Sequence, residues 1–199
     1  MYPGSSLYVF TILVVLGIIV FAGTRRMPYL RTLVWVAFAV YVTEVLSRTF
    51  FPLPTQAQLI ADMRIQQFGH HSFIPFRTIG SVLSRPDLSV ALVQIGGNLL
   101  LFLPLGYFLP LLFRRMRRPR NALVAVFAAT IAVEVVQLLL SSAVFGFVYK
   151  SFDVDDILLN LCGGLLGYGL FKLCQPLIVR TAMDAPASPS RRRVDESVA

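Results

Sequence analysis

The chain has 199 residues, of which 56% are hydrophobic and only 14% charged, and its formal net charge is +8. Soluble domains are typically about 45–50% apolar and about 25% charged, so this composition excludes an ordinary soluble protein. The positive charge does not indicate a nucleic-acid-binding protein, because it is concentrated in short segments between apolar blocks, where cytoplasmic loops collect lysine and arginine.

Five apolar blocks follow one another along the chain, each close to the roughly 20 residues that a helix needs to cross a bilayer. They comprise residues 7–23, 33–51, 88–113, 122–140 and 157–173. The sequence therefore predicts an all-α, polytopic transmembrane helical bundle of about five helices.

The first block is predicted to be a transmembrane helix with its N-terminus outside, rather than a cleaved signal peptide. A signal peptide carries positive charge before its apolar core, whereas here Arg25, Arg26 and Arg31 follow the core. In this orientation 13 of the 18 basic residues lie on the inside, and the C-terminus is cytoplasmic. Residues 1–175 are predicted to form the bundle, and residues 176–199 a disordered basic cytoplasmic tail.

The longest segment between blocks, residues 55–87, is predicted to lie outside and to pack on the membrane surface. It carries the string SFIPF (residues 72–76), whose aromatic side chains favour the headgroup region. It also contains the adjacent His70 and His71, which rarely ligate one metal together and have no third ligand at a recognisable spacing. We predict no metal site and no cofactor.

Polar residues recur in the outer halves of four blocks. Counted at about 1.5 Å per residue, Glu44, Glu134 and Asn160 lie roughly 5–10 Å below the outer helix ends, and Asn98 lies about ten residues into its long block. A charge at the centre of a bilayer is costly, about 2.5–3.5 kcal/mol for Asp. These side chains are therefore expected to face the bundle interior or a water-filled cavity.

Helical spacing places several of these residues on common faces. Residues three, four or seven apart lie on one side of a helix, which groups Glu134 with Gln137, Gln94 with Asn98, Asp153 and Asp156 with Asn160, and Glu44 with Arg48, a possible ion pair. Gly163, Gly164 and Gly167 share or border the polar face of the last block, and small residues allow close helix packing.

Each of these patterns has a structural alternative. Gln94, Asn98 and Asn160 are also typical of hydrogen bonds that hold helices together, and Asp153 and Asp155 of solvated acids at a helix N-terminus. Glu134 and Asp156 are harder to explain structurally. Unless basic side chains neutralise them, two acids at the mouth of a bundle indicate an acid–base pair or a cation site.

Three strings together carry a family resemblance. GGNLLLFLPLGYFLP (residues 96–110), EVVQLLL (134–140) and SFDVDDILLNLCGGLLG (151–167) resemble the VanZ-like family of bacterial membrane proteins, over about residues 73–169. The resemblance implies that the polar pattern of the family lies at Asn98, Pro104, Gly106, Glu134, Gln137, Asp153, Asp156 and Asn160. Ser72 and Lys150 depart from the Asn and Arg that the family often has near these positions.

The residues and the resemblance together predict a multi-pass protein of the bacterial cytoplasmic (inner) membrane with an extracytoplasmic polar pocket. We expect it to bind or act on an envelope lipid or a lipid-linked cell-wall precursor. The resemblance also implies an influence on susceptibility to the glycopeptide teicoplanin, since the family is named after a protein linked to resistance. A structural or accessory subunit without catalysis, or a small transporter, is the alternative, although nearly apolar inner helix halves oppose a transport pathway.

Within that pocket, Glu134 and Asp156 are the candidate general acid and base. Asn98, Gln137, Asp153, Asn160, Arg77 and Lys150 are the candidate substrate-binding residues, with Arg77 and Lys150 suited to an anionic headgroup. The sequence does not indicate a protein partner.

Overall fold

The computed structural model describes residues 6–51, 56, 58, 60–62, 71–145 and 152–181. Over these residues the chain is helical, and its only strand-like pairing is an isolated parallel bridge between Ser72 and Asp153. The α-helices are α1 (Ser6–Thr24), α2 (Tyr29–Phe50), α3 (Arg77–Leu83), α4 (Leu88–Leu112), α5 (Pro119–Leu139) and α6 (Val154–Thr181). A 3₁₀ turn (Arg114–Arg117) precedes α5, and a π-helical segment (Leu140–Phe145) follows it.

Five of these helices are long and apolar enough to cross a membrane. The candidate spans are Leu7–Thr24, Tyr29–Phe50, Leu88–Leu112, Pro119–Ser142 and Val154–Pro176. The predicted five-helix transmembrane bundle is therefore confirmed, while its orientation in the membrane stays a prediction. The arginine-rich turns after α1 and α4 lie at one end of the bundle, and α3 lies at the other, which we call the α3 end.

Helices α4 and α6 pack main chain against main chain. A Cβ atom added at Gly106, Gly163 or Gly167 would overlap the backbone of the facing helix, and one added at Gly164 would overlap the Val126 side chain of α5. Only glycine allows this approach. The prediction that Gly163, Gly164 and Gly167 of the last block face neighbouring helices is confirmed.

The remaining spans join this pair through hydrogen bonds and aromatic contacts. The Tyr41 hydroxyl of α2 donates to the Leu101 carbonyl of α4 at 2.7 Å. At the end away from α3, the Tyr168 hydroxyl of α6 donates to the Arg117 carbonyl at 2.7 Å, which fixes the 3₁₀ turn. Helices α1 and α2 are connected by a 2.5 Å hydrogen bond between the Thr11 and Thr43 hydroxyls.

The described part of the predicted outer loop contains the short helix α3 and is held against the start of α6. The Ser72 amide donates to the Phe152 carbonyl at 2.8 Å, and the Val154 amide donates to the Ser72 carbonyl at 3.0 Å. At the other end of α6, the helix continues past the predicted bundle boundary at residue 175 as far as Thr181. Residues 182–199 of the predicted tail lie outside the described residues.

Candidate functional site

A cleft of about 770 Å³ opens between α2, α4, α5 and α6 towards the α3 end. Its walls combine aliphatic side chains, such as Val45 and Leu101, with polar ones. The polar and charged lining residues are Tyr41, Glu44, Arg48, Thr49, Asn98, Glu134, Gln137, Asp156 and Asn160. Five of the eight predicted site residues thus meet in one cleft: Asn98, Glu134, Gln137, Asp156 and Asn160.

Glu134 is the most deeply buried acid of the cleft, with only 1% of its surface exposed. Its Oε2 accepts a hydrogen bond from the Asp153 amide at 3.2 Å, just before the first turn of α6. This hydrogen bond from the start of α6 fixes the position of the Glu134 carboxyl group.

Asp156 and Asn98 connect α6 to α4 through a hydrogen bond from the Asn98 side-chain amide to the Asp156 carboxylate. One turn further along α6, Asn160 is only 3% exposed. Its Oδ1 has no hydrogen-bond partner within the described ranges, and the same holds for the buried Oγ1 of Thr49. Both residues line the cleft. A buried acceptor without a partner costs about 1–3 kcal/mol, so these atoms favour a bound donor.

The mouth of the cleft carries an ion pair. Arg48 Nε lies 3.2 Å from Glu44 Oε2, which confirms the predicted contact between these residues. Glu44 also accepts a hydrogen bond from the Tyr8 hydroxyl of α1 at 2.7 Å. Gln137 donates to the Thr49 carbonyl at 3.2 Å, so its amide already serves to connect α5 with α2.

Asp153 has its side chain turned away from the cleft and lies 7% exposed. Its Oδ1 accepts the Asp155 amide at 2.9 Å, the bond of a helix N-cap, and its Oδ2 accepts the Thr78 hydroxyl at 2.6 Å. The alternative for Asp153, a solvated acid at a helix N-terminus, is correct in its position at the helix start and wrong in its solvation, because folding of the loop buries this carboxylate. Both carboxylate oxygens of Asp153 are therefore already hydrogen-bonded within the protein, and its substrate-binding role stays a prediction.

Asp155 is the residue whose structural role the sequence reasoning missed. It is fully buried, and its carboxylate accepts the amides of Phe76 at 2.5 Å, Thr78 at 2.8 Å and Ile79 at 3.0 Å. The solvated alternative is therefore wrong for this residue too. One signal was present in the sequence. A helix start needs only one capping residue, and Asp153 fills that role, so a second acid at Asp155 indicated another contact.

These contacts form what we call the loop latch, in which residues 71–79 are bound to residues 152–155. His71 completes it, because its Nδ1 accepts the Phe152 amide at 3.0 Å. The latch contains the Asp153 amide that contacts Glu134. The outer loop thus positions an acid of the cleft without lining the cleft itself.

The structure does not bring Arg77 into the acid cleft. Arg77 is exposed and lines a second, smaller cleft on the loop side, together with Arg85. Lys150, the other predicted basic residue of the site, lies outside the described residues. The predicted combination of Arg77 with Glu134 and Asp156 in one pocket is therefore not formed, because α3 carries Arg77 to the opposite side of the latch.

Metal ligands were not predicted. In the part of the chain that the structure describes, no group of three or more His, Cys, Asp or Glu side chains is arranged to hold a metal ion.

The helices that build the cleft coincide with a family signature. The VanZ/LLP1 family model matches residues 38–175, which is 138 of the 199 residues. The chain belongs to the VanZ/LLP1 family. Neither the curated proteins nor the solved structures contain a match. The VanZ/LLP1 match begins within α2, upstream of the resemblance at residues 73–169, and it covers every residue that lines the cleft.

Proposed function

We propose that this VanZ/LLP1 protein binds the polar headgroup of an envelope lipid, or of a lipid-linked cell-wall precursor, in the cleft between α2, α4, α5 and α6. The observation that carries this proposal is an open cleft of about 770 Å³ within membrane-spanning helices, with carboxylates and aliphatic side chains in the same walls. Sites for small organic ligands typically measure about 300–1,000 Å³. A lipid presents both chemistries at once, an apolar chain and a polar head.

The polar lining favours headgroup atoms that donate hydrogen bonds. Glu44, Glu134 and Asp156 supply three carboxylates against one guanidinium, that of Arg48. Asn160 Oδ1 adds a buried acceptor without a partner in the described structure. Hydroxyl and ammonium groups satisfy such acceptors. Sugar, glycerol and amine headgroups therefore suit the cleft better than a bare phosphate does.

Glu134 and Asp156 are the residues we propose for acid–base work if the bound headgroup reacts. The two acids face one cleft from two different helices, α5 and α6. Their environments differ, because Glu134 contacts a main-chain amide whereas Asp156 accepts a hydrogen bond from the Asn98 side chain. Different environments are what separate an acid from a base.

The position of the cleft supports an extracytoplasmic opening. The cleft lies towards the α3 end, and the turns carrying Arg25, Arg26 and the run 114–118 lie at the other end. Basic turns stay on the cytoplasmic side. We therefore propose that the headgroup enters from the outer leaflet.

A structural role is the second candidate, and two hydrogen bonds favour it. The bonds from Asn98 to Asp156 and from Gln137 to the Thr49 carbonyl both connect helices. Transport is disfavoured, because Phe102, Val126 and Phe171 are almost fully buried and fill the bundle beyond the cleft.

The test is complementation in a bacterium whose own copy has been deleted. Wild type, Glu134→Gln, Asp156→Asn and the control Asp62→Asn are compared for growth under teicoplanin and other envelope stress, with protein abundance and membrane lipid profile measured. Asp62 is an exposed acid outside the cleft. We expect the two cleft variants to accumulate normally and fail to complement, with an altered lipid profile. If they complement fully, or fail only because the protein is lost, the cleft residues hold helices together and the proposal is wrong.

A further inference from the structure

The second cleft, of about 260 Å³, lies between the loop latch, α3 and the start of α4. Its polar lining residues are His71, Ser72, Arg77, Thr78, Ser81, Arg85 and Gln94. Its volume falls below the roughly 300 Å³ at which pockets begin to hold drug-sized ligands. A single small charged group therefore matches this space better than a whole headgroup does.

The charge of this cleft is opposite to that of the acid cleft. Arg77 and Arg85 both line it, and none of the described residues that line it carries a carboxylate. Among the residues that the structure describes, the one ion pair is that between Arg48 and Glu44, so neither Arg77 nor Arg85 has a carboxylate partner among them. Two guanidinium groups on one small cleft create a positive potential that favours an anion.

Neutral donors complete the lining. Ser72 is 8% exposed, and its buried Oγ has no hydrogen-bond partner within the described structure. The Nδ1 of His71 accepts the Phe152 amide, so the ring proton is on Nε2 and that atom is a donor. Ser72 is thus a buried polar group in a cationic cleft whose hydroxyl is available to a ligand.

Two acids lie close to this cleft, and their oxygens are already used. Asp155 accepts three main-chain amides of the loop, and Asp153 accepts the Asp155 amide and the Thr78 hydroxyl. The negative charges of the Asp153 and Asp155 carboxylates are therefore stabilised by donors within the latch. The Arg77 and Arg85 side chains, which are exposed, remain available on the open side.

We propose that the Arg77–Arg85 cleft is a binding site for a phosphate-type oxyanion, carried by a lipid headgroup or present as free phosphate. Guanidinium groups bind such oxygens in pairs through charge-assisted hydrogen bonds, and the Ser72 hydroxyl donates a further bond. The site is separate from the acid cleft, so it does not depend on the headgroup proposed there. Gln94 and Asn98, one turn apart on α4, bring the two clefts to the same end of the protein.

The experiment uses the purified full-length protein in an uncharged detergent and three probes. Binding of dioctanoyl phosphatidic acid, dioctanoylglycerol and inorganic phosphate is measured by titration calorimetry at low salt. We expect phosphatidic acid to bind and dioctanoylglycerol, which lacks the phosphate, not to bind. If inorganic phosphate binds with an affinity similar to that of phosphatidic acid, the free anion is identified as the ligand. Binding of phosphatidic acid alone identifies the lipid.

Variants locate the site. Arg77→Gln and Arg85→Gln are each expected to weaken binding by at least about tenfold, since a hydrogen bond to a charged group is lost. Arg85→Lys, which keeps the charge but loses the paired donors, is expected to lie between wild type and Arg85→Gln. The double variant Arg25→Gln/Arg120→Gln removes two positive charges at the other end of the bundle, one more than either site variant removes, and is expected to bind as wild type.

Three results would overturn the proposal: no binding of any phosphate probe by the folded wild type, unchanged binding in Arg77→Gln and Arg85→Gln, or an equal loss of binding in the Arg25/Arg120 control. Melting temperatures without ligand verify folding, and the exposed positions of Arg77 and Arg85 make intact folding the expected result. Glu134→Gln is expected to retain phosphate binding. This outcome separates the oxyanion site from the headgroup cleft, because either proposal can fail while the other stands.

Discussion

Replacing Asp155 with alanine is expected to release the loop latch while the bundle stays folded. The substitution deletes the acceptor of three main-chain amides, those of Phe76, Thr78 and Ile79, at a position with no solvent exposure. In the latched conformation those amides would then be buried without partners. Opening of the loop allows water to hydrogen-bond to these amides. The substitution is therefore expected to lower the stability of the latch rather than that of the whole fold.

The magnitude follows from the number of bonds. Hydrogen bonds to a charged acceptor contribute about 1.5–3 kcal/mol each, so three at the lower figure give about 4.5 kcal/mol. Effects of single substitutions rarely exceed about 4–5 kcal/mol, so we expect a loss of ~4 kcal/mol in the local stability of the latch. Asp155→Asn keeps one acceptor oxygen, and we expect about half that loss, ~2 kcal/mol.

Hydrogen–deuterium exchange measures this loss directly. At about 1.4 kcal/mol per factor of ten, a loss of ~4 kcal/mol speeds exchange in a peptide covering residues 76–83 by roughly 10³-fold. Asp87→Ala is the matched control. Asp87 caps α4 by accepting the Ser89 amide at 2.9 Å, and its removal leaves the latch intact. If Asp155→Ala leaves exchange of residues 76–83 unchanged, the carboxylate does not hold the loop and the reasoning is refuted.

Three further outcomes are expected. Gly163→Ala lowers the free energy of unfolding in detergent by about 1–3 kcal/mol through overpacking against α4, whereas Gly96→Ala, at a position with open space, does not; equal effects would contradict the close helix contact. Asn98→Leu is expected to lower the same free energy of unfolding by about 1–3 kcal/mol, because the Asp156 carboxylate loses a hydrogen-bond donor. An unchanged free energy of unfolding would contradict that hydrogen bond. Hydrogen bonds donated by the Ser89 hydroxyl and then by the Ser89 amide lower the pKa of Asp87. The capping of α4 by Asp87 is therefore complete above the usual pKa of 3.8 and is lost as the pH falls through the lowered pKa. Exchange at the start of α4 should rise in that acid range in wild type and show no such dependence in Asp87→Asn.

The five spans could be predicted from the sequence because a bilayer imposes a minimum apolar length, and that length is visible along the chain. The meeting of Glu134, Asp156 and Asn160 in one cleft was equally accessible. The depth of each residue follows from the rise of a helix per residue, and the side of the helix on which it lies follows from the helical period. Polar side chains are costly in lipid, so they are expected to face the interior of the bundle. The glycine face of α6 was predictable for the same reason, since small residues at helical spacing mark close helix contacts.

The roles of Asp155 and Arg77 were decided only by the tertiary structure. Asp155 contacts amides more than 75 residues earlier in the chain, and its partners are main-chain groups that no residue type identifies. Arg77 was expected among the acids because it lies in the outer loop, but the direction in which α3 carries it depends on how that loop is pinned to α6. Helical periodicity relates residues within one helix, whereas the latch joins a loop to a helix N-terminus through contacts that have no period.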